Sequence, residues 1–457
     1  MLRFFRINDP YRLVFIFLIL ITVRLAQQYL IQDTSYYELK WILLGEWLGK
    51  GYMMYSQTFD YTGPLAAMTY KFINMIFGRT QLVFWIISSL LIILQASIFN
   101  SLLLKNKVYA ENSYLPAFFY TILIISIPDF MTLSPQLMSL TFILLTLRNV
   151  FRRIDNQVTD ELFLSSGIFI GLAAMIYLPA CVFFLVFLFS LVLFTTAIAR
   201  RLLLYFFGFL LIFSLFLVYY YLFGIHGLFV ERFIIDGLFA STVRFVSLKD
   251  LLFISAPLAF VFLIAVFKTV KSARLTNFQQ KVQQVIWILL LGGIATFFLS
   301  NEKSGLELLF TVPVVAYFLT HYFILLKKQI SVFIIPGAVI FSLLFYSGYT
   351  YQNLPKSLII EEPDLIGGKV LVLGEKLELY AKLEMITPCF NEYISGKALK
   401  GINYYEEAII LYDILQRSDP DIIIDELKVM PKLIFRFPYL EETYSKVSSN
   451  DYRRINN

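Results

Sequence analysis

QDTSYYELKWILLGEWLGKGYMMYSQTFDYTGPL, residues 32–65, is the polar and aromatic stretch on which the reading of the whole chain turns. It follows directly on an apolar run over 13–31, carries Asp33, Glu38, Glu46 and Asp60, and closes in a Gly63-Pro64 turn. Ser35 and Glu38 are spaced as a capping box, so a helix is expected to start there. Tyr37, Trp41, Leu44 and Leu48 then recur at i, i+4, i+7 and i+11, with Lys40, Glu46 and Lys50 pointing elsewhere. That pattern predicts an amphipathic helix lying in a membrane interface, tryptophans at headgroup depth and Glu46 paired with Lys50 one turn on. Such a loop amid apolar sequence reads as the roof of a site at the membrane surface.

The rest of the chain supplies the membrane. Of 457 residues, 59% are hydrophobic and 15% charged, with a mean hydropathy of +0.73. No single soluble core of this length could bury so much apolar surface, so the fold class is mainly α, a polytopic membrane protein. Eleven runs qualify as crossings: 13–31, 82–104, 113–128, 131–147, 162–178, 180–198, 202–223, 251–267, 282–300, 306–326 and 329–347. The fifth and sixth are nearly continuous. They are divided at Tyr177-Leu178-Pro179, because a proline breaks the helix and the combined run is too long for one crossing.

Charge placement orients these runs. With a cytoplasmic N-terminus, the inner loops hold 16 Lys and Arg against five acids, whereas the outer loop 32–81 holds four of each sign. That is the positive-inside pattern. The net charge of +6 therefore marks membrane orientation and gives no reason to expect nucleic acid as a partner. An odd number of crossings leaves the tail outside. The opening MLRFFRINDPYR ahead of the first apolar run, with no small-residue cleavage site, reads as a retained signal anchor. Cys181 and Cys389 read as two separate buried thiols.

Residues 348–457 change character. A strand is expected over 369–374, helices over 377–383 and 404–416, and a second strand over 421–425. Alternating strands and helices predict a small α/β domain, so the organisation expected is a transmembrane module over 1–347 and an outer domain over 348–457. GxGxxG, a Walker loop, a nucleophile elbow and a His/Cys metal cluster are all missing from the sequence. With two histidines in the chain, a histidine triad is not the expected chemistry.

A first crossing followed by Asp33-x-x-x-Tyr37, an amphipathic stretch and then Asp60-Tyr-Thr-Gly-Pro-Leu65 resembles the GT-C superfamily of polyprenyl-phosphate-sugar glycosyltransferases. That group includes the protein O-mannosyltransferases and the aminoarabinose transferases of lipid A. Family members read Asp-Glu-x-x-Tyr after the first helix; here Thr34 replaces the second acid. Asp60 stands in the later charged slot, and Gly63-Pro64-Leu65 where the family has Pro-Pro-Leu. In the second outer loop Ser134-Pro135 replaces the family's Thr-Asp, leaving Asp129 as the acid. The opening RFFRINDPYR (3–12) is similar to a bacterial group related to these enzymes.

The resemblance implies a GT-C-like fold with a periplasmic C-terminal domain in a bacterial inner membrane. It implies inverting transfer of a sugar from a polyprenyl-phosphate-linked donor to a lipid, glycan or protein acceptor. Asp33, Asp60 and Asp129 would be catalytic, with Asp33 and Asp129 able to hold a divalent cation, Mg or Mn, through oxygen ligands. Arg24, Arg232, Arg244 and Lys303 would hold the lipid phosphate, and Tyr37, His226 and Glu231 would border the acceptor. Two other readings compete. A non-catalytic relative serving as a membrane assembly or scaffold subunit would account for Thr34 and Ser134-Pro135. A lipid-linked sugar flippase or other transporter would place ionisable groups at the midplane in two matching halves, and no repeat is visible.

Overall fold

The computed structural model describes residues 2–30, 36–154, 159–195, 198–240, 243–244, 248–272, 275–325, 337–346, 369–374, 377–400, 405–448 and 450–455. The chain divides into two compact units. The first comprises Met1–Thr34, Leu82–Phe216 and Thr242–Leu354; the second comprises Ser35–Gln81, Leu217–Ser241 and Pro355–Asn457.

Helices occupy all eleven apolar runs, over their described residues. They are Tyr11–Leu30, Gln81–Lys105, Leu115–Ile125, Pro135–Ile154, Glu161–Ile176, Val182–Phe194, Ala199–Leu222, Leu248–Ser272, Asn277–Leu299, Val312–Leu325 and Gly337–Tyr346. In hydrocarbon a backbone must bond to itself, which is why apolar runs of this kind become helices. Among the described residues, four stretches are long and apolar enough to cross a membrane: Gln81–Lys105, Ala199–Leu222, Asn277–Leu299 and Leu306–Leu325. The chain is a multi-pass membrane protein.

The two helix breaks fall where proline dictates. Tyr177 is extended, and a tight turn over Leu178–Cys181 separates Glu161–Ile176 from Val182–Phe194. Pro128–Met131 forms a second such turn, followed by an extended Thr132, ahead of Pro135–Ile154. Within the first unit, Glu161–Ile176 and Ala199–Leu222 approach backbone to backbone at glycines. A Cβ on Gly167 would lie 2.1 Å from the Tyr205 carbonyl oxygen, and one on Gly208 2.5 Å from that of Leu164. Gly167 and Gly171 are spaced as in the small-residue contacts that let membrane helices close up. A short parallel pair joins β1 (Val243–Arg244) to β2 (Glu302–Lys303), with Arg244 opposite Lys303.

In the second unit, the helix Tyr36–Gly49 departs from expectation. Eleven of its residues are buried, Lys40, Trp41 and Trp47 included, so it is not an interfacial amphipathic helix. Helix Pro64–Phe77 covers one side of it so closely that a Cβ on Gly45 would lie 2.6 Å from the Tyr70 carbonyl oxygen. Tail residues cover another part: Met385 donates its N–H to Glu46 (3.2 Å), and Lys50 bonds Glu384 (2.8 Å). Trp47 stacks on Tyr52 at 3.7 Å and donates to the Gln57 carbonyl (3.2 Å). The one-sided helix is Pro64–Phe77, which buries Ala66, Ala67, Tyr70 and Ile73 and exposes Phe72, Met75 and Phe77. The expected Glu46–Lys50 pair is present at 3.3 Å. Ser35 lies outside the described residues; Glu38 accepts from Gln81 (2.9 Å).

Among the described residues, the tail forms one four-stranded sheet. The two strands expected from sequence, β3 (Val370–Leu373) and β4 (Ile422–Asp425), are parallel neighbours. β5 (Tyr444–Lys446) and β6 (Asp451–Arg454) add antiparallel to the other side. Among the described residues β3 is an edge strand of the order β3-β4-β6-β5, and its free edge is closed by side chains. The Tyr380 hydroxyl accepts from Val372 N–H (2.9 Å) and donates to the Val370 carbonyl (2.9 Å), while Thr387 donates to the Val372 carbonyl (2.6 Å). Edge groups satisfied this way cannot recruit a foreign strand. Compactness groups this sheet with residues 35–81 and 217–241, where composition alone drew a boundary at 347/348. Phe59 forms a β-bridge with Cys389, with Phe59 N–H donating to the Pro388 carbonyl (2.8 Å).

Candidate functional site

In the second unit, the residues after Gly49 fold back so that Asp60 reaches the buried helix Tyr36–Gly49. Lys40 is 4% exposed and Asp60 is fully buried, with Nζ 3.5 Å from Oδ1. Two lone charges at such sites would be very costly, and the pairing is what makes them tolerable. Thr62 donates to the other Asp60 oxygen at 2.5 Å, the Tyr55 hydroxyl holds the Thr62 carbonyl (2.7 Å), and the Tyr61 ring lies 5.8 Å from the ammonium.

A π-helical segment, Phe229–Ile235, contributes the next cation. Arg232 is buried, donates to the Tyr55 carbonyl, and lies 5.0 Å from the centre of the Phe59 ring. Tyr55 has a positive φ of 67°, a rare backbone state for a bulky residue. Its ring is fixed among Tyr220, Phe229 and Phe233. One turn on from Arg232, Asp236 is buried and receives two bonds from Lys397 of the tail helix Glu392–Lys400 (3.0 and 3.2 Å). Lys397 also pairs with Glu231 (2.7 Å). Burial on its own would lower the Lys397 ammonium, but its bonds to Glu231 and Asp236 win and hold it above its ordinary value.

The first unit has its own polar group. Arg24 is buried and donates to the Trp85 carbonyl (3.1 Å), the Ser88 and Ser89 hydroxyls (2.8 Å each) and the Met131 carbonyl (2.9 Å). Asp129 accepts the Tyr346 hydroxyl. Burial pushes its carboxyl above the ordinary range, and the Tyr346 bond pulls it part of the way back. Lys303 donates to the carbonyls of Phe297, Phe298 (3.2 Å) and Ser300 (2.6 Å), which are the orphan acceptors at the end of helix Asn277–Leu299. Glu307 is fully buried and accepts from Ser300 (3.0 Å) and the Gly305 N–H (3.1 Å).

Of the residues singled out from sequence, Asp33 lies outside the described residues. Asp60 is joined to Lys40, Glu231 to Lys397, and Arg232 to the Tyr55 turn. Arg244 stands opposite Lys303 in the β1–β2 pair. His226 is exposed, its ring 5.2 Å from that of Tyr221. Tyr37 is buried, its ring 6.3 Å from Trp41. Sequence reasoning turned Lys40 outward, and missed Asp236 and Lys397 altogether. A lysine in the middle of an otherwise apolar helical face was the signal for Lys40; for Asp236 and Lys397, 161 residues apart, no local signal exists.

As to a divalent cation, no group of three or more His, Cys, Asp or Glu suited to a metal occurs among the described residues. Asp129 already spends one oxygen on Tyr346. Asp33, the other acid expected to hold the cation, lies outside the described residues.

No protein-family model matches the chain, and no curated protein matches it in sequence. Solved structures do. ArnT from Cupriavidus metallidurans, bound to undecaprenyl phosphate, superposes with a TM-score of 0.50 at 11% identity, covering 76% of this chain and 65% of that one. The oligosaccharyltransferase AglB from Archaeoglobus fulgidus, in complex with an inhibitory peptide and a dolichol-phosphate, gives 0.45 at 10% identity over 98% and 75% of the two chains. This chain thus spans about two thirds of the length of ArnT. At such identity the likeness is one of fold: this multi-pass membrane protein shares its fold with ArnT.

Proposed function

We propose that the protein is a membrane glycosyltransferase that moves a sugar from a polyprenyl-phosphate carrier to an acceptor at the periplasmic face of a bacterial inner membrane. In this reading the chain crosses eleven times, with a cytoplasmic N-terminus and the α/β tail in the periplasm. Support comes from the fold shared with ArnT, whose solved structure holds undecaprenyl phosphate. The observation that carries it is the buried Lys40–Asp60 pair (3.5 Å) in the first outer loop. Apolar residues of the same volume often serve stability as well or better, and in this reading the pair is kept for the site.

The chemistry is an inverting displacement. The acceptor oxygen bonds to the anomeric carbon, the bond from that carbon to the carrier phosphate breaks, and the phosphate keeps the electron pair. The acceptor proton passes to a carboxylate, with Asp33 the first choice and Asp60 and Asp129 in support. Arg232 and Arg244 are proposed as cations for the departing phosphate. Arg24 and Lys303, each bonded to backbone carbonyls, fall back to structural parts. His226, Glu231 and Tyr37 remain on the acceptor side.

The test is transfer of label from a panel of polyprenyl-phosphate sugars in membranes, comparing wild type with Asp33→Asn and Asp60→Asn at matched protein level. Transfer by wild type that both variants lose supports the reading. No transfer from any donor, with both variants still supporting the cell, overturns it in favour of a non-catalytic assembly subunit. Thr34, standing where the family carries its second acid, is the residue that favours that second reading.

A further inference from the structure

The segment that carries Arg232 and Asp236 has two faces. Phe229, Arg232, Phe233, Asp236 and Gly237 are buried, whereas Ile235 is 48% and Phe239 79% exposed. Just upstream, the last turn of the apolar helix Ala199–Leu222 exposes Tyr221 and Leu222 (77%), and Phe223, directly after it, is exposed too. That helix is long and apolar enough to cross a membrane. After Gly224, with its positive φ of 71°, the chain returns so that Phe229 stacks on Tyr220 (4.6 Å), and the segment exposes Ile235 and Phe239.

We propose that residues 221–239 form a hairpin seated in the outer leaflet of the bilayer, with Ile235 and Phe239 in the acyl region beside the exit of the spanning helix. A row of large apolar side chains left in water is rare on folded proteins and marks a binding surface. Lipid is the occupant that the continuity with a crossing helix selects. The tail of this same chain meets the segment at its acids, where Lys397 bonds Glu231 and the buried Asp236. One face would lie in lipid while the other, with Phe229, Arg232, Phe233 and Asp236, stays packed on the protein. This arrangement would hold Arg232 and Asp236 at headgroup depth, the level at which a lipid-linked phosphate lies. This inference concerns the membrane contact and stands whether or not the protein transfers sugar.

The experiment places a nitroxide at Phe239→Cys and, separately, Ile235→Cys in the full chain. The protein is reconstituted into phosphatidylethanolamine–phosphatidylglycerol vesicles, and power saturation is measured with oxygen and with a water-soluble nickel chelate. Protein without an introduced cysteine reports the background from Cys181 and Cys389. Ser448→Cys, at an exposed tail position, serves as the aqueous reference. The expected result is a ratio of oxygen to nickel collisions well above that of the Ser448 label at both sites. A ratio equal to the aqueous reference overturns the proposal. So does low access for both reagents with spin–spin broadening, which would mean that a second copy covers the hairpin.

Discussion

Lys40 Nζ lies 3.5 Å from Asp60 Oδ1, and both side chains are buried in one unit of the fold. The pair is held from the acid's side by Thr62 (2.5 Å). Removing one partner leaves the other charged in a dry site, which costs about 3–5 kcal/mol, whereas removing both is far milder. Lys40→Met should therefore lower the melting temperature of the purified protein sharply, and Lys40→Met with Asp60→Leu should restore most of it. If the double variant melts as low as the single one, the pair is not the unit that matters.

Arg24 satisfies two hydroxyls and two carbonyls from two separate chain segments, the helix Gln81–Lys105 and the turn Pro128–Met131. Arg24→Lys cannot reach four acceptors from a single ammonium, and a carbonyl left unbonded in a buried site costs about 1–3 kcal/mol. The expected outcome is a lower melting temperature and lower yield in membranes. A variant as stable as wild type but with weakened donor binding would return Arg24 to the phosphate site.

Gly167 meets the Tyr205 carbonyl oxygen at 2.1 Å from where a Cβ would sit, so any side chain there must push two helices apart. Gly167→Val should destabilise by at least the overpacking cost of about 1–3 kcal/mol. Gly227→Ala, with nothing within 4 Å of the added carbon, should leave the melting temperature unchanged. Thermal unfolding in detergent of the two variants side by side checks the contrast.

Glu384 carries the pH dependence of the contact between the first loop and the tail. Its hydrogen bond to the Lys50 ammonium, aided by the charge itself, lowers the carboxyl below its ordinary 4.5. A depressed acid contributes stability that is full above its unfolded value and disappears as pH falls through the lower folded value. Glu384→Gln should thus be slightly less stable than wild type at neutral pH and equal to it in acid below that window. The pair is half exposed, so the difference is small and salt-sensitive. Limited proteolysis of the tail against pH reads it; a gap that widens in acid would reverse the sign.

The helices over the apolar runs and their proline breaks could be read from the chain because their cause is local. An apolar run longer than about 17 residues in lipid must bond its own backbone, and Pro179 interrupts that bonding wherever it lies in the fold. β3 and β4 were legible for a similar reason, as short apolar runs bounded by turns. The Glu46–Lys50 pair needed nothing beyond helical spacing.

The helix Tyr36–Gly49 shows where such reading ends. Its periodicity identified a helix, but periodicity cannot say how many sides will be covered. Pro64–Phe77 and the tail cover it together, and that converts Lys40 from a solvated residue into a buried partner of Asp60. Lys397 and Asp236 likewise have no relation along the chain. By itself the sequence determined which segments are helix, strand or turn, since backbone hydrogen bonding and hydropathy act over a few residues. Only the tertiary structure decided which charges meet, because the free energy of a buried charge depends on neighbours that folding brings from tens to hundreds of residues away.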